Sequence, residues 1–349
     1  MTPPKIKCVV WDLDRTVWDG VLLEGDALVL RPGVRDAMAA LDQRGILQSV
    51  ASRNEPAPAW AQLQRFGLEH FFLQPQIGWD AKSQAVRRIA ETLNLGLDTF
   101  AFVDDEPFER DEVTNALPQV RAYAPDDVGR LFARPEFDPG TITEEARHRR
   151  EMYLTDRVRQ EAEKSFGGPS DAFLRSLGMV LVIAPAEGDD LERVEELVAR
   201  TNQLNTTGRV YSREELQTLR RSPEHRLLVL ELTDRYGGYG KIGVVLLHCT
   251  DAVWTIRLLL MSCRVMSRGV GGAVITWLRR EARDAGVRLR ADFRPTERNR
   301  MMYVTYKFAG FSEVSEADGM ALLESDLTNV PELPGTLDVR ATLGGLCDA

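Results

Sequence analysis

Two aspartates, Asp12 and Asp14, follow a short apolar run, Cys8–Trp11. Two carboxylates one residue apart at the end of a strand can share one site. One can attack phosphorus as a nucleophile, while the other protonates the leaving oxygen and later activates water. Such a pair is also common as a loop or a helix cap, so its interpretation depends on the residues that accompany it.

Further residues would complete a site for phosphoryl transfer. The transition state gathers negative charge on oxygen atoms, which a lysine or a magnesium ion can neutralise. Lys82, one of only six lysines in the chain, is the candidate cation, and Ser52 can donate a hydrogen bond to phosphoryl oxygens. Magnesium prefers oxygen ligands. The predicted ligands are all carboxylates, namely Asp12, Asp14, Asp104 and Asp105. Each residue alone is compatible with a turn, a cap or a solvated surface; the ordered set indicates function.

Three apolar runs place these residues at predicted strand ends. The runs are Cys8–Trp11, 46–51 and Phe100–Val103, and they lead to Asp12, Ser52 and Asp104. Between the runs, apolar residues recur at helical spacing. Strands that alternate with helices predict a parallel α/β sheet, in which functional residues gather beyond the carboxyl ends of the strands. The three polar endings therefore predict one site.

The second half of the chain has a different pattern. Residues 133–142 predict a linker, and a charged helix follows at 144–164. Strands are then predicted at 179–184, 227–232, 243–247 and 254–261, and helices at Leu191–Arg200 and 271–285. This order predicts an α+β domain. The expected division is a first domain over 1–135, a linker and connecting helix over 136–169, a second domain over 170–330 and a C-terminal tail over 331–349.

Composition excludes several other classes of protein. The 349 residues carry a net charge of −9, which disfavours indiscriminate nucleic-acid binding. No apolar run is long enough to span a membrane, and no signal-peptide core precedes the first strand. Four cysteines lie far apart, which argues against a disulfide scaffold and a structural zinc site. A cytoplasmic protein is expected. Arginines are dense over 264–300, which indicates either a solvated helix face or a surface for an acidic partner.

A second set of residues surrounds a glycine-rich turn, RGVGGA at 268–273, between a predicted strand and a predicted helix. Glycines let a backbone approach a phosphate, and the helix N-terminus offers free N–H groups. Cys263 precedes this turn, and its thiol could hold an acyl group as a thioester, with Arg264 and Arg268 favouring the thiolate. The alternative is that Cys263 is a small buried apolar residue.

The first half resembles the haloacid-dehalogenase-like (HAD) phosphatase superfamily, and the second half resembles the GNAT acyltransferase fold. The resemblance to HAD implies that Asp12 is the nucleophile and Asp14 the acid/base, with Ser52, Lys82 and the Asp104–Asp105 pair as the remaining motifs. The fold class implied is a HAD-like Rossmannoid parallel-sheet domain followed by a GNAT-like α+β domain. The GNAT resemblance implies a phosphopantetheine-binding cradle, whose expected residues are Arg264, Arg268, Gly269, Gly271 and Asn299.

Five strings join the halves in a resemblance to the FkbH-like family, HAD subfamily IIIC. They are WDLDRTVWDG at 11–20, SRNE at 52–55, VDDEPFER at 103–110, RTNQLNTT at 200–207 and LMSCRV at 260–265. The resemblance covers roughly residues 5–312. It implies a Mg²⁺-dependent enzyme of polyketide biosynthesis that loads a glyceryl unit from 1,3-bisphosphoglycerate onto the pantetheine thiol of an acyl carrier protein and releases phosphate. The expected substrate-binding residues are Arg15, Thr16, Arg53 and Asn54.

The sequence departs from the family pattern at two positions. Leu13 stands where many members have a cysteine that is a plausible glyceryl carrier, and Arg15 stands where an asparagine is usual. Three alternatives follow from the missing cysteine. The acyl group rests on another thiol, with Cys263 as the candidate, or it passes directly to the carrier. The third alternative is that the substrate is a different acyl phosphate or a related three-carbon unit. We also hypothesise that Arg15 recognises an additional anionic group on the substrate. Arg15→Ala should then lose discrimination between charged and uncharged analogues, and unchanged discrimination would refute this.

Two other functions compete with the transferase. One is a plain Mg²⁺-dependent phosphatase whose GNAT-like half only recognises a carrier or a substrate. The other is a scaffold without enzymatic activity, which the complete set of acidic, serine and lysine motif residues disfavours. Formation of a thioester discriminates the plain phosphatase from the transferase, and loss of Cys263 should matter greatly only in the transferase.

Overall fold

The computed structural model describes residues 4–126, 128–201, 204–297 and 299–341. Two positions of the fourth string, Asn202 and Gln203, lie outside the described residues, as do Arg298 and the last eight residues of the predicted tail. The chain divides into two compact units, Met1–Arg157 and Val158–Ala349. The boundary falls within the predicted linker and connecting helix, inside one continuous helix that runs from Arg149 to Ser165.

The first unit is built on a parallel sheet with helices on both faces. Its strands are β1 Cys8–Trp11, β2 Trp18–Asp19, β3 Val29–Leu30, β4 Leu47–Ser52, β5 Gln76–Ile77, β6 Phe100–Val103 and β7 Arg121–Tyr123. Its helices are α1 Val34–Gln43, α2 Pro56–Arg65, α3 Lys82–Leu93, α4 Pro107–Ala116, α5 Val128–Leu131 and α6 Glu144–Arg147, and α7 is the helix Arg149–Ser165. The sheet order is β5-β4-β1-β6-β7, with β2 and β3 forming a separate antiparallel pair.

Strand alternation explains why both faces of this sheet are covered. Successive side chains of a strand point to opposite faces. Val9 and Trp11 pack with α1 and α2, whereas Cys8 and Val10 pack with α3 and α4. Because β1 lies between β4 and β6 in parallel register, all three strands end at the same edge. The predicted parallel α/β domain is confirmed.

The second unit contains one mixed sheet of eight strands. The strands are β8 Met179–Pro185, β9 His225–Asp234, β10 Gly237–Cys249, β11 Val253–Met261, β12 Arg288–Phe293, β13 Phe311–Ala317, β14 Met320–Ser325 and β15 Leu337–Ala341. The helices are α8 Ser170–Ser176, α9 Leu191–Arg200, α10 Arg213–Arg221, α11 Val270–Asp284 and α12 Arg300–Phe308. The order is β13-β14-β12-β11-β10-β9-β8-β15. Helices α11 and α12 pack on one face, and α9 and α10 on the other.

This arrangement confirms the predicted architecture, a Rossmannoid parallel-sheet α/β domain followed by an α+β domain. Three details differ from the expectation. Strand β10 begins at Gly237 rather than 243, because the glycine-rich start pairs with β9 through two bulges. The charged helix predicted at 144–164 is interrupted at His148, between α6 and α7. The segment predicted as a tail contributes β15, which pairs in parallel with β8. No helix in the described part of the chain has the length and apolar character needed to cross a membrane.

Candidate active site of the first unit

The carboxyl ends of β1, β4 and β6 bring together the residues that the sequence singled out. Asp12, Ser52 and Asp104 are all buried at this edge. Asp12, Asp104 and Asp105 each place one carboxylate oxygen within 4.8 Å of the other two. The parallel register of the central strands produces this proximity, as the sequence predicted.

Lys82 completes the cluster from the first position of α3. Its ammonium group donates to Asp12 Oδ1 and, at 2.9 Å, to Asp104 Oδ2. The side chain is only 4% exposed, and it also lies 5.7 Å from the centre of the Phe102 ring. A buried lysine between two carboxylates is an unusual arrangement for purely structural purposes, because each buried charge loses its hydration.

Burial and mutual repulsion determine the protonation of this cluster. Burial raises the pKa of Asp12 to about 7; Lys82 opposes the shift and Asp104 adds to it. Burial alone would lower the pKa of Lys82, but Asp12 and Asp104 outweigh it, so the pKa of Lys82 is raised. Burial, followed by repulsion from Asp104, also raises the pKa of Asp105. Three carboxylates thus lie close together with one lysine beside them, and when all are ionised the cluster carries an excess of negative charge.

A magnesium ion fits this donor set. Carboxylate oxygens are the hard ligands that it prefers, and the excess negative charge favours a second cation. Asp12, Asp104 and Asp105 would hold it. Asp14, which the sequence analysis also predicted as a ligand, is not in this group of three carboxylates.

The Asp14 carboxylate is held by three donors on the other side of the loop. Oδ1 accepts hydrogen bonds from Trp18 Nε1 at 2.8 Å and from the Leu22 backbone N–H at 3.1 Å. Oδ2 accepts one from Asn54 Nδ2 at 2.9 Å. Asn54 is fully buried and orients Asp14, and its role in substrate binding stays a prediction. This geometry suits an acid/base whose position must be fixed.

Thr16 ties the aspartate loop to the acidic pair. Its hydroxyl accepts a hydrogen bond from the Asp105 backbone N–H at 3.0 Å and lies 3.4 Å from Asp105 Oδ1. Thr16 is fully buried and positions Asp105, and its contact with substrate stays a prediction. Arg15 is exposed with a φ of 54°, and its carbonyl accepts from Arg31. Arg53 pairs with Glu109 at 2.8 Å and keeps a 40% exposed side chain.

Arg110 was not identified from the sequence. It lies on α4, in the VDDEPFER string, and its Nη1 donates to the carbonyl oxygens of Asp104 at 2.7 Å and Asp105 at 2.8 Å. A single guanidinium nitrogen thus fixes the backbone that carries two predicted metal ligands. Groups that orient metal ligands tune affinity for the metal without touching it.

Arg110→Met is expected to weaken Mg²⁺ binding by about 10- to 100-fold, the usual effect of removing a group that orients metal ligands. The measurement is the Mg²⁺ concentration that gives half-maximal phosphate release. Arg87→Met, on the exposed side of α3, is the control. An unchanged half-maximal concentration in Arg110→Met would show that the acidic loop holds its shape without this contact.

A cavity of about 250 Å³ opens beside the cluster. Ser52 and Lys82 contribute to its wall, together with Gln76, Ile77, Gly78, Asp80, Ala85 and Arg88. Arg88 is fixed there by Gln76 Oε1 at 2.9 Å and by Asp80 at 2.8 Å. Gln76, Asp80 and Arg88 were not identified from the sequence. They give the cavity a polar wall.

The glycine-rich turn of the second unit forms the start of α11. Gly269 caps the helix with a φ of 74°, a left-handed conformation that glycine adopts without strain. A Cβ on Gly271 would lie 2.8 Å from Met261 Cε, the end of a flexible side chain that can shift to make room. Gly269 therefore has a structural reason to be glycine, and the role of both glycines toward pantetheine stays a prediction.

The other residues predicted to bind pantetheine lie in contacts within the second unit. Arg268 is 5% exposed and donates to Glu163 at 3.0 Å. Arg264 donates to the Tyr239 carbonyl at 2.9 Å. Asn299 is 1% exposed and donates to two carbonyls, those of Asn205 at 3.0 Å and Arg294 at 2.9 Å. Asn299 thus has an internal bridging role, and its predicted role toward pantetheine stays a prediction.

Cys263 carries a thiol at the start of a short 3₁₀ turn, Cys263–Arg268. It is half-buried, in contrast to Cys8, which lies in the core as the sequence predicted. The turn begins at Ser262, whose hydroxyl accepts from the Arg264 backbone N–H at 3.5 Å. The half-buried position is compatible with the predicted acyl transfer.

Several solved structures are similar to parts of this chain. The N-terminal part of BF1531 from Bacteroides fragilis, containing a phosphatase domain complexed with Mg, has 27% identity, a TM-score of 0.34 and coverage of 41% of this chain and 42% of its own. A HAD-superfamily hydrolase of subfamily IA from Geobacter sulfurreducens has 14% identity and a TM-score of 0.32, covering 37% and 98%. The ribosomal-protein-S18-alanine N-acetyltransferase from Escherichia coli has 15% identity and a TM-score of 0.34, covering 44% and 97%.

The chain thus spans about two fifths of the length of the Bacteroides protein that it matches. Comparisons with family profiles and with curated proteins found no match. The similar structures thus include a phosphatase domain, a HAD-superfamily hydrolase, an N-acetyltransferase and a GNAT domain. TM-scores at this level do not bear on activity, so the chemistry rests on the side chains described above.

Proposed function

We propose that the chain is a Mg²⁺-dependent enzyme of the FkbH-like type. In this proposal it loads a glyceryl unit from 1,3-bisphosphoglycerate onto the phosphopantetheine thiol of an acyl carrier protein and releases phosphate. The observation that carries the phosphatase half is the Asp12–Lys82–Asp104 cluster at the edge of the parallel sheet. The transferase half is supported by the GNAT-like fold of the second unit and by the strings that join the two halves.

The phosphatase step follows from the cluster. An Asp12 oxygen attacks phosphorus, the bond from phosphorus to the leaving oxygen breaks, and an acyl phosphate forms on Asp12. Asp14, which three donors hold in place, gives its proton to the leaving oxygen and then takes one from the attacking water, which releases phosphate and restores Asp12. Lys82 offsets the charge on phosphoryl oxygens. Mg²⁺ bound by Asp12, Asp104 and Asp105 would supply further positive charge there.

The transfer step has a simpler requirement. The pantetheine thiolate attacks the acyl carbon of the acyl phosphate, the bond from that carbon to the bridging oxygen breaks, and phosphate leaves as the thioester forms. An acyl phosphate is already activated, so positioning contributes more than additional driving force. The remaining phosphate monoester is unreactive and needs the Asp12 site. The thiol of Cys263 can act as an intermediate acceptor, or the acyl group passes directly to the carrier.

Phosphate stoichiometry tests this proposal. The enzyme is incubated with Mg²⁺, 1,3-bisphosphoglycerate generated in situ and a pantetheinylated carrier protein. The proposal predicts that the carrier increases enzyme-dependent phosphate release and that two phosphates appear for each thioester formed. A carrier without pantetheine is the control, since it cannot accept the acyl group. Equal phosphate release with and without the pantetheine arm on the carrier would favour the plain phosphatase.

The plain phosphatase keeps one observation in its favour. Arg268 and Asn299, two of the residues predicted to bind pantetheine, are buried and bonded within the second unit. A unit arranged in this way can recognise a carrier without holding its pantetheine arm at the glycine-rich turn. Thioester formation separates the two functions, because only the transferase forms one.

Cys263→Ala is expected to abolish a glyceryl adduct on the enzyme and to slow carrier loading at least about tenfold if the acyl group rests on this thiol. Ser267→Ala, in the same turn and exposed, is the matched control. Intact-protein mass spectrometry of the enzyme and of the carrier measures both effects. Unchanged loading by Cys263→Ala would assign direct transfer to the carrier and remove Cys263 from the reaction.

A further inference from the structure

Strands β11 and β12 of the second unit separate part-way along their length. They pair in parallel over residues 253–256 and 288–291 and then diverge. Residues 204–206 enter the gap. The Thr206 backbone N–H donates to Leu259 O at 3.1 Å, and the Arg294 backbone N–H donates to Thr206 O at 3.0 Å. The chain itself thus bridges the two strands.

The residues that follow this bridge form one wall of a cavity of about 630 Å³. The cavity opens on the sheet face that carries α9 and α10, since its floor includes Leu246, a member of the core cluster on that face. Its lining combines the loop with the sheet and consists of Thr207, Gly208, Arg209, Tyr211, Leu219, His225, Leu246, Arg257, Asp292, Arg294 and Met320. This volume lies in the range of pockets that bind small molecules.

Positive charge is in excess in this cavity. Three arginines, Arg209, Arg257 and Arg294, line it against a single carboxylate, Asp292. Arg257 pairs with Asp292 at 2.8 Å. The pKa of His225 is lowered by burial and then by His248, so its imidazole is neutral at pH 7 and leaves the balance unchanged.

The three arginines differ in how they are held. Arg209 stacks on the Tyr211 ring at 4.4 Å and pairs with Glu215 at 3.1 Å. Arg294 is exposed, and in the part of the chain that the structure describes its guanidinium has no ion-pair partner. Its backbone, by contrast, is fixed by Thr206 and by Asn299 Nδ2, which donates to Arg294 O. A guanidinium without an ion-pair partner, on a backbone that is held in place, is well positioned to bind an anion.

We propose that this cavity binds a small organic anion that carries a carboxylate or a phosphate together with a hydroxyl group. The arginine forks match the geometry of either anion. Asp292 would repel a second anionic group placed beside it but can accept a hydrogen bond from a hydroxyl. None of the lining residues belongs to the Asp12 site, so the inference goes beyond the proposed function and does not depend on it.

Calorimetric titration of the full-length protein tests this site with three probes: malate, inorganic phosphate and 3-phosphoglycerate. Malate reports a carboxylate ligand, inorganic phosphate a phosphate ligand, and 3-phosphoglycerate carries both groups with a hydroxyl. Arg294→Gln is expected to weaken the best probe about tenfold or more, because a hydrogen bond to a charged group is lost. Arg294→Lys, which keeps the charge but not the fork, should give an intermediate affinity. Arg340→Gln, on β15, should match the wild type.

Hydrolysis of a phosphate monoester by each variant separates this inference from the proposed function. The proposal predicts unchanged hydrolysis in Arg294→Gln alongside weakened binding. Wild-type protein that binds none of the probes saturably overturns the anion site. Equal affinities in wild type and Arg294→Gln overturn it as well, because they place the bound anion elsewhere. Loss of hydrolysis in Asp12→Asn with intact probe binding leaves the two conclusions independent.

Discussion

Asp12→Asn is expected to lower phosphate-monoester hydrolysis by at least about a thousandfold, because the attacking oxygen is lost. The amide has nearly the same shape as the carboxylate and can still accept the hydrogen bond from Lys82. The substitution also removes one of two neighbouring buried carboxylates, Asp12 and Asp104, which repel each other when both are ionised. The urea midpoint of unfolding at neutral pH should therefore be no lower than that of the wild type.

Activity and stability are read on the same preparation. Asp36→Asn is the control, since Asp36 is exposed on α1 away from the strand ends. The expected combination, lost hydrolysis with retained stability, assigns chemistry to Asp12. Turnover near the wild-type rate in Asp12→Asn would contradict the nucleophile assignment, whereas a collapsed midpoint would show that Asp12 has a structural role instead.

Lys82→Met is expected to have the largest effect on stability. It leaves Asp12 and Asp104 buried side by side without their shared counter-ion, and breaking a buried ion pair costs about 3–5 kcal/mol of the free energy of unfolding. Hydrolysis should be lost as well, since Lys82 is the protein's own cation at the phosphoryl oxygens. Lys164→Met, at an exposed position, is the control. Urea unfolding in metal-free buffer measures the change.

The pH dependence of the Lys82→Met penalty has a defined sign. In the wild type, burial already raises the pKa of Asp12 to about 7, compared with about 3.9 in an unfolded chain. Without Lys82, Asp12 loses the group that opposed this shift. A carboxyl with a raised folded-state pKa stabilises the folded protein at low pH, and this stabilisation is lost as pH rises through the folded-state pKa. The penalty should therefore be smaller at about pH 5 than at about pH 8. A penalty that grows as pH falls would contradict this account of the cluster.

Positions along strands could be predicted from the sequence because they depend on the backbone. Parallel strands that alternate with helices end at one edge, so the apolar runs before Asp12, Ser52 and Asp104 were sufficient to predict their proximity. Lys82 begins a helix at that same edge and enters the cluster from there. These features require only the order of elements and the register of the central strands.

Side-chain roles within loops could not be predicted in the same way. The aspartate loop contains Arg15 with a φ of 54°, and a turn of this kind decides which side chains face the cluster. As a result Asp14 accepts hydrogen bonds from Trp18 and Asn54, and Thr16 accepts one from Asp105. These hydrogen bonds do not follow from the spacing of the residues in the sequence. A motif letter indicates that a residue belongs to the site but not whether it contacts the substrate or positions a neighbour.

The second unit shows the same limit at longer range. Asn299 was predicted from the GNAT resemblance to bind pantetheine, and the structure shows its side-chain amide donating to the carbonyl oxygens of Arg294 nearby and of Asn205, far away in the sequence. Strand β15 was missed although its residues, LDVRA, alternate between apolar and polar, because a five-residue pattern is short and the strand forms at the sheet edge through pairing with β8. Both features depend on contacts between segments far apart in the sequence.

Intact-protein mass spectrometry of the carrier protein tests the central claim most directly. Wild-type enzyme and Asp12→Asn are each incubated with Mg²⁺, 1,3-bisphosphoglycerate and the pantetheinylated carrier. The account predicts a glyceryl thioester on the carrier with the wild type, and either a carrier adduct heavier by one phosphoryl group (HPO₃) or no loading with Asp12→Asn. An unmodified carrier beside continued phosphate release by the wild type would contradict the transferase and leave a phosphatase.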